Sequence, residues 1–144
     1  EVLVQTDTFF AVPRGRLKLR QFSDRSGELI FYERPDRAGP KESSYSRCAC
    51  PEPKAVSAGL AHALGVRGVV EKRREVFMMG RSRIHLDEVR GLGTFLEIEV
   101  VLGEREAAAE GERVARELLA ACGVPESDLV ARPYIDLLED LGAG

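Results

Sequence analysis

The sequence predicts an α+β fold in which an antiparallel sheet curls around an ionic interior and helices pack outside it. Three observations carry this. Five stretches alternate apolar and ionic residues, the period-2 pattern of a strand with two unlike faces. Short turn signals separate consecutive stretches, as in hairpins and meanders. Segments with apolar residues at helical spacing are segregated from these strands, and the apolar parity of the sheet needs them as cover. With 144 residues, 44% of them hydrophobic, a single domain spanning 1–144 is expected, large enough for a packed core.

Val2–Val12 reads as the first strand, because β-branched and aromatic residues dominate it. Pro13-Arg14-Gly15 turns the chain into Arg16–Phe22, completing a hairpin. Glu28–Arg34 is a third strand and Ser43–Cys50 a fourth, across a loop from Pro35 to Pro40. Pro51-Glu52-Pro53 opens a helix, since proline is tolerated in a first turn. Val56, Leu60, Ala63 and Leu64 keep its spacing, and Gly65 ends it. Val69–Met78, Arg81–Glu88 and Thr94–Leu102 form an antiparallel meander, joined at Met79-Gly80 and Arg90-Gly91-Leu92-Gly93. Glu104–Cys122 is the longest helix, striped by Val114, Leu118, Leu119 and Cys122. A short last helix starts at Pro125–Asp128 and carries Tyr134, Leu137, Leu138 and Leu141 on its apolar face.

The ionic set is ordered. Lys18 and Arg20 share a parity opposite Leu17 and Leu19, and Arg34 extends the pattern into the third strand. Lys72 and Arg74 share one parity of the fifth strand, and Arg83, His85 and Asp87 one parity of the sixth. Glu97 and Glu99 alternate with Leu96, Ile98 and Val100. Charges on the wet face of an antiparallel sheet are ordinary. Like charges on neighbouring strands repel, however, and a face with no use for them would mix signs. A concave face holding Lys18, Arg20, Arg34, Lys72, Arg74 and Arg83 is untenable dry and empty. It is therefore expected to be water-filled and to bind a polyanion, with Arg gripping phosphate bidentately and Lys acting as a point charge. Glu97 and Glu99, with Asp87 beside them, suit Mg²⁺ or Mn²⁺, hard ions that bridge carboxylate and phosphate oxygens. His85 shares the parity, as a hydrogen-bonding interior histidine or as a general base, whereas His62 faces solvent from the first helix. Ser43, Ser44 and Tyr45 are placed to hydrogen-bond a substrate.

The net charge of −3 gives no global attraction to nucleic acid or anionic membrane. Arg14–Arg20 is locally basic, but its leucine alternation argues against RNA binding. No apolar run approaches the roughly 18–20 residues of a membrane span, and no signal-peptide pattern is present. Cys48, Cys50 and Cys122 are odd in number and lack framework or zinc spacing, which predicts reduced thiols and a cytoplasmic setting.

Several long motifs carry a resemblance. They are QTDTFFAVPRGRLKLR (Gln5–Arg20), LIFYERPD (Leu29–Asp36), GPKESSY (Gly39–Tyr45), VEKRREVF (Val70–Phe77), RIHLDEVRGLGTFLEIE (Arg83–Glu99) and YIDLL (Tyr134–Leu138). Together they resemble the CYTH superfamily, the triphosphate tunnel metalloenzymes, and within it the branch named for class IV adenylyl cyclase. The resemblance runs over nearly the whole chain. It implies an eight-stranded antiparallel tunnel-type β-barrel, closed or nearly so, that holds a triphosphate together with Mg²⁺ or Mn²⁺. Carried over residue by residue, Lys18, Arg20, Arg34, Lys72 and Arg74 would bind phosphate, with Lys41 and Arg83 as further contacts. Lys72, Arg74 and Asp87 would be the catalytic set, and Asp87, Glu97 and Glu99 the metal-side acids. The chain departs from the family pattern at its start. The E-x-E-x-K strand and the helix that precede D-T-[YF]-F are missing, and the first residue is Glu1 rather than Met. The expectation is an N-terminally truncated domain, with a barrel left open where its first strand would lie.

Three functions follow from this reading. The first is a metal-dependent enzyme hydrolysing ATP or another nucleoside triphosphate, thiamine triphosphate or inorganic tripolyphosphate. Its close relative is adenylyl cyclase chemistry, giving cyclic AMP and pyrophosphate from ATP. Hydrolysis is preferred because it needs fewer substrate contacts than cyclisation. The second is a polyphosphate- or nucleotide-binding module without turnover. The third is a structural domain whose ionic face is merely solvated. A homodimer is compatible with the sequence and not demanded by it.

Overall fold

The structure, a computed structural model, describes residues 1–33, 44–101, 108–130 and 132–143. Seven strands form one antiparallel sheet: β1 (Val2–Phe10), β2 (Arg16–Phe22), β3 (Gly27–Glu33), β4 (Ser44–Cys50), β5 (Val66–Met79), β6 (Ser82–Val89) and β7 (Gly93–Val100). Their order is β4-β3-β2-β1-β5-β6-β7. The helices are α1 (Pro53–Leu64), α2 (Ala108–Ala121) and α3 (Tyr134–Ala143). Each strand lies close to its expected place, with β1 ending at Phe10 rather than Val12 and β7 at Val100. β5 starts at Val66 rather than Val69, because the ladder slips at Phe9/Phe10 and pairs Phe10 with Val66. Among the described residues the barrel does not close, and β4 and β7 are its two edges. The sheet nevertheless curls, since Tyr45 and Arg47 of β4 and Glu97 and Glu99 of β7 line the same cleft.

The register brings the predicted parities onto one face. Arg20 stands opposite Asp7, Lys72 opposite Gln5, Asp87 opposite Arg74, Glu97 opposite His85 and Glu99 opposite Arg83. A slip of one residue in any strand would move its ions to the other side.

The other face is apolar under α1. Phe10, Leu19 and Cys50 are buried there, against Leu17, Leu29 and the helix residues Val56, Leu60 and Ala61. α2 packs along β7 and buries Ala115. α3 takes a different place, over the ionic face itself. Its Ile135 is buried among Phe9, Ile30, Tyr32, Val70 and Val89, with Tyr134 and Leu138 packed alongside. Gly68 makes that approach feasible, because a Cβ there would stand 2.6 Å from Ile135 Cδ1. The helix is also tied by charge. Buried Asp136 accepts from Arg16 Nη2 at 2.9 Å and from Arg67 Nη2 at 2.8 Å. Among the described residues, no helix is long and apolar enough to cross a membrane.

Candidate functional site

The cleft between the sheet and α3 is partly open to solvent. Its floor comes from β1, β2 and β5. Asp7 is fully buried at the centre and gathers three cations. Arg20 grips it through Nε and Nη2 at 2.8 and 2.9 Å, and Lys72 Nζ donates at 2.9 Å. Lys18 Nζ stands 3.2 Å from the same Oδ2. Burial alone would raise the Asp7 pKa, but Lys18, Lys72 and Arg20 together hold it well below the usual carboxylate range. Burial is also the largest influence on the two lysines. It pushes Lys18 down to about 7, against the pull of Asp7, and lowers Lys72 as well, with Arg20 adding repulsion in both cases.

A second knot lies one strand further on. Asp87 of β6 is buried and accepts from Arg74 Nε and Nη2 at 2.7 and 2.8 Å. Tyr134 of α3 donates its hydroxyl to the same carboxylate at 2.9 Å. Burial and the adjacent Asp87 raise the Tyr134 pKa, so the phenol keeps its proton and remains a donor. Burial would lower Arg74, but its bond to Asp87 and the nearby Glu97 raise it further.

Beyond Arg74, the far wall is acidic. Glu97 and Glu99 are half-buried on β7 and line the cleft. Buried His85 of β6 turns Nδ1 to Glu97 Oε1 at 3.2 Å. One ligand atom each from His85, Glu97 and Glu99 lie within 4.8 Å of one another. Two carboxylates and an imidazole nitrogen are a donor set that fits a divalent ion.

The structure therefore brings Lys18, Arg20, Lys72, Arg74, Glu97 and Glu99 to one cleft. Arg83, predicted as a phosphate contact, is half-buried on the same face opposite Glu99, and its Nε has no partner among the described residues. Asp87, predicted beside the glutamates as a metal-side acid, shares the face but gives its oxygens to Arg74 and Tyr134. Arg34, Lys41 and Ser43 lie outside the described residues. Tyr45 lines the cleft and stacks with Tyr32 at 5.7 Å between ring centroids. Sequence reasoning passed over Asp7, Arg47, Arg132 and Tyr134 as cleft residues. Asp7 did carry a signal, a lone acid sharing a parity with Phe9 in an otherwise uncharged strand. Arg47 sits over Tyr45 at the β4 edge, its guanidinium 5.1 Å from the ring centroid, and nothing in its local sequence distinguishes it from a surface arginine.

Comparison with known proteins gives a consistent picture. The CYTH domain family model matches residues 1–134. No curated protein matches the sequence. Among solved structures, the chain is similar to the PH1012 protein of Pyrococcus horikoshii OT3, with TM-score 0.83 and 23% identity over 95% of this chain and 83% of that one. A conserved hypothetical protein of Pyrococcus furiosus gives TM-score 0.82 and 23% identity over 95% and 83%. A Vibrio parahaemolyticus structure described as a "putative adenylate cyclase" gives TM-score 0.77 and 21% identity over 96% and 85%.

Proposed function

The chain belongs to the CYTH domain family, and from that premise we propose that it binds a triphosphate with a divalent metal ion in the cleft and hydrolyses it. One observation carries the reading. Four buried or nearly buried cations, Lys18, Arg20, Lys72 and Arg74, face a single cleft whose opposite wall holds the carboxylates of Glu97 and Glu99. Such a divided wall complements a polyanion on one side and a metal ion on the other.

The roles follow from the contacts. Lys18 and Lys72 are compact charges that neutralise phosphoryl oxygens as charge builds on them. Arg20 and Arg74 are each locked by two hydrogen bonds to an acid, Asp7 or Asp87, so their remaining N–H groups are aimed before substrate arrives. Tyr134 fixes Asp87 and so fixes Arg74. Glu97 and Glu99 would hold Mg²⁺ or Mn²⁺, which when bound supplies Lewis-acid neutralisation and acidifies water. Phosphoryl transfer needs positioning and charge neutralisation rather than a covalent nucleophile. Cyclisation of ATP is the second reading. The Vibrio neighbour's description favours it, and the same phosphate cradle would serve it.

The test is a product assay. The protein is incubated with Mg²⁺ or Mn²⁺ and ATP, tripolyphosphate or thiamine triphosphate, and products are separated chromatographically beside Glu97→Gln. Orthophosphate released by the wild type and lost in the variant supports the triphosphatase. Cyclic AMP with pyrophosphate replaces it with the cyclase. Binding without turnover leaves a polyphosphate-binding module.

A further inference from the structure

The acidic wall of the cleft contains a residue that hard-ion chemistry does not require. His85 is 3% exposed, on the central strand of the β5-β6-β7 meander, between Val76 on one side and Glu97 on the other. The ring's polar contact among the described residues runs through Nδ1, since Nε2 has no hydrogen-bond partner there. Its Nδ1 faces Glu97 Oε1 at 3.2 Å. Adjacent ligands about 2.1 Å from an octahedral ion lie about 3 Å apart, so these two atoms already have the spacing of neighbouring ligands. Glu99 Oε completes a set within 4.8 Å. Asp87, the acid that would otherwise make the third ligand, is committed to Arg74 and Tyr134.

We infer that His85 ligates the divalent ion with Glu97 and Glu99, and that this mixed nitrogen–oxygen site selects a first-row transition ion such as Mn²⁺ over Mg²⁺. The inference rests on reading the cleft as a metal-assisted polyanion site. Mg²⁺ demands oxygen ligands and keeps its waters, whereas imidazole favours the transition ions, increasingly along the Irving–Williams order. An all-carboxylate wall would give Mg²⁺, the more abundant ion, no handicap. A buried imidazole at ligand distance does.

The experiment uses the full chain and the metals alone. Mn²⁺ is titrated and followed by electron paramagnetic resonance, Mg²⁺ is added in competition, and the bound Mn²⁺ is probed for ¹⁴N echo modulation. Expected are ¹⁴N coupling in the wild type, Mn²⁺ bound at least about tenfold more tightly than Mg²⁺, and a ratio narrowed by about tenfold with loss of the coupling in His85→Gln. Bound Mn²⁺ without ¹⁴N coupling, or an unchanged ratio in the variant, overturns the inference. The wild-type echo decides the matter even if His85→Gln does not fold. A parallel tripolyphosphate titration separates the two claims. Phosphate binding without Mn²⁺ binding overturns the metal site alone, and ¹⁴N-coupled Mn²⁺ without phosphate binding upholds it while removing the polyanion reading.

Discussion

Asp7 is the most informative residue to change. In Asp7→Asn the side chain keeps its shape, but Arg20, Lys72 and Lys18, all within 3.2 Å of the carboxylate, lose their common counter-charge. The cluster is buried, so the surface-pair discount does not apply. Removing one partner of such a set leaves uncompensated buried charge and costs about 3–5 kcal/mol. For a domain of this size a kcal/mol moves the melting temperature by about 2–4 °C, so Asp7→Asn is expected to melt about 6–20 °C below wild type. Polyanion should reverse the effect. Asp7 competes with phosphate for the same cations, so the variant should gain more from tripolyphosphate than the wild type does. Ligand at 100 times its dissociation constant contributes about 2.7 kcal/mol, and the variant reaches that point at a lower concentration. Scanning calorimetry with and without tripolyphosphate measures both quantities, with exposed Glu117→Gln as a control for net charge. A melting temperature within about 2 °C of wild type would refute the account of the buried cluster. Destabilisation with no larger ligand shift than wild type would refute the claim that these cations are the phosphate seat.

Three further outcomes are expected. The Lys18 ammonium titrates near pH 7 in the folded state and near 10.5 unfolded, so between these values the unfolded chain binds more protons and stability rises with pH. Lys18→Met should reduce that rise, leaving the part that the similarly lowered Lys72 contributes, in urea titrations at pH 6.5 and 9.5. Tyr134→Phe deletes one donor to Asp87 and leaves the bidentate Arg74, so it should cost only about 1 kcal/mol of stability while lowering turnover of tripolyphosphate through a less fixed Arg74. Gly68→Ala drives a methyl into Ile135 and should cost about 1–3 kcal/mol, with faster amide exchange confined to α3 and the adjoining part of β5.

Much of this arrangement was legible in the sequence because a strand's period is 2 and leaves little freedom. Once Lys72 and Arg74 share a face, hairpin register carries Asp87, then Glu97, to the same side. What periodicity could not supply was distance across the curl. Arg47 joins the cleft only because β4 and β7, opposite edges of the sheet, bend toward each other. It also could not choose a side for α3. The apolar residues of α3 fit either face of a sheet, and its seat on the ionic face depends on Gly68 and on Asp136 taking Arg16 and Arg67. Composition likewise could not tell which acids the buried arginines take as bidentate partners. Asp7 and Asp87 resemble Glu97 and Glu99 in a sequence, yet the first pair is consumed by bidentate arginines on central strands, while the second stands half-buried on an edge strand.

That division makes the cleft electrically polar, and a final prediction follows from it. Around Asp7 three cations answer one acid, so the β1-β2-β5 floor is net positive, whereas Glu97 and Glu99 make the β7 wall negative. A bare triphosphate would be drawn to the floor and repelled by the wall. A bare divalent ion would meet the reverse. Only the two together match both halves, so each should raise the affinity for the other, and by linkage the factor must be the same in both directions. Couplings between neighbouring sites are typically about 1–3 kcal/mol, or about 5–150-fold. Calorimetric titration of tripolyphosphate at zero and saturating Mn²⁺, corrected for complexation in solution, measures the coupling in one direction. Titration of Mn²⁺ with and without tripolyphosphate measures it in the other. In Glu97→Gln/Glu99→Gln the wall loses its charge, so metal-free tripolyphosphate should bind more tightly than in wild type while the metal effect disappears. Weaker metal-free binding in that variant would mean that the wall does not repel phosphate, and the cleft would then have to be read as uniformly phosphate-facing rather than divided.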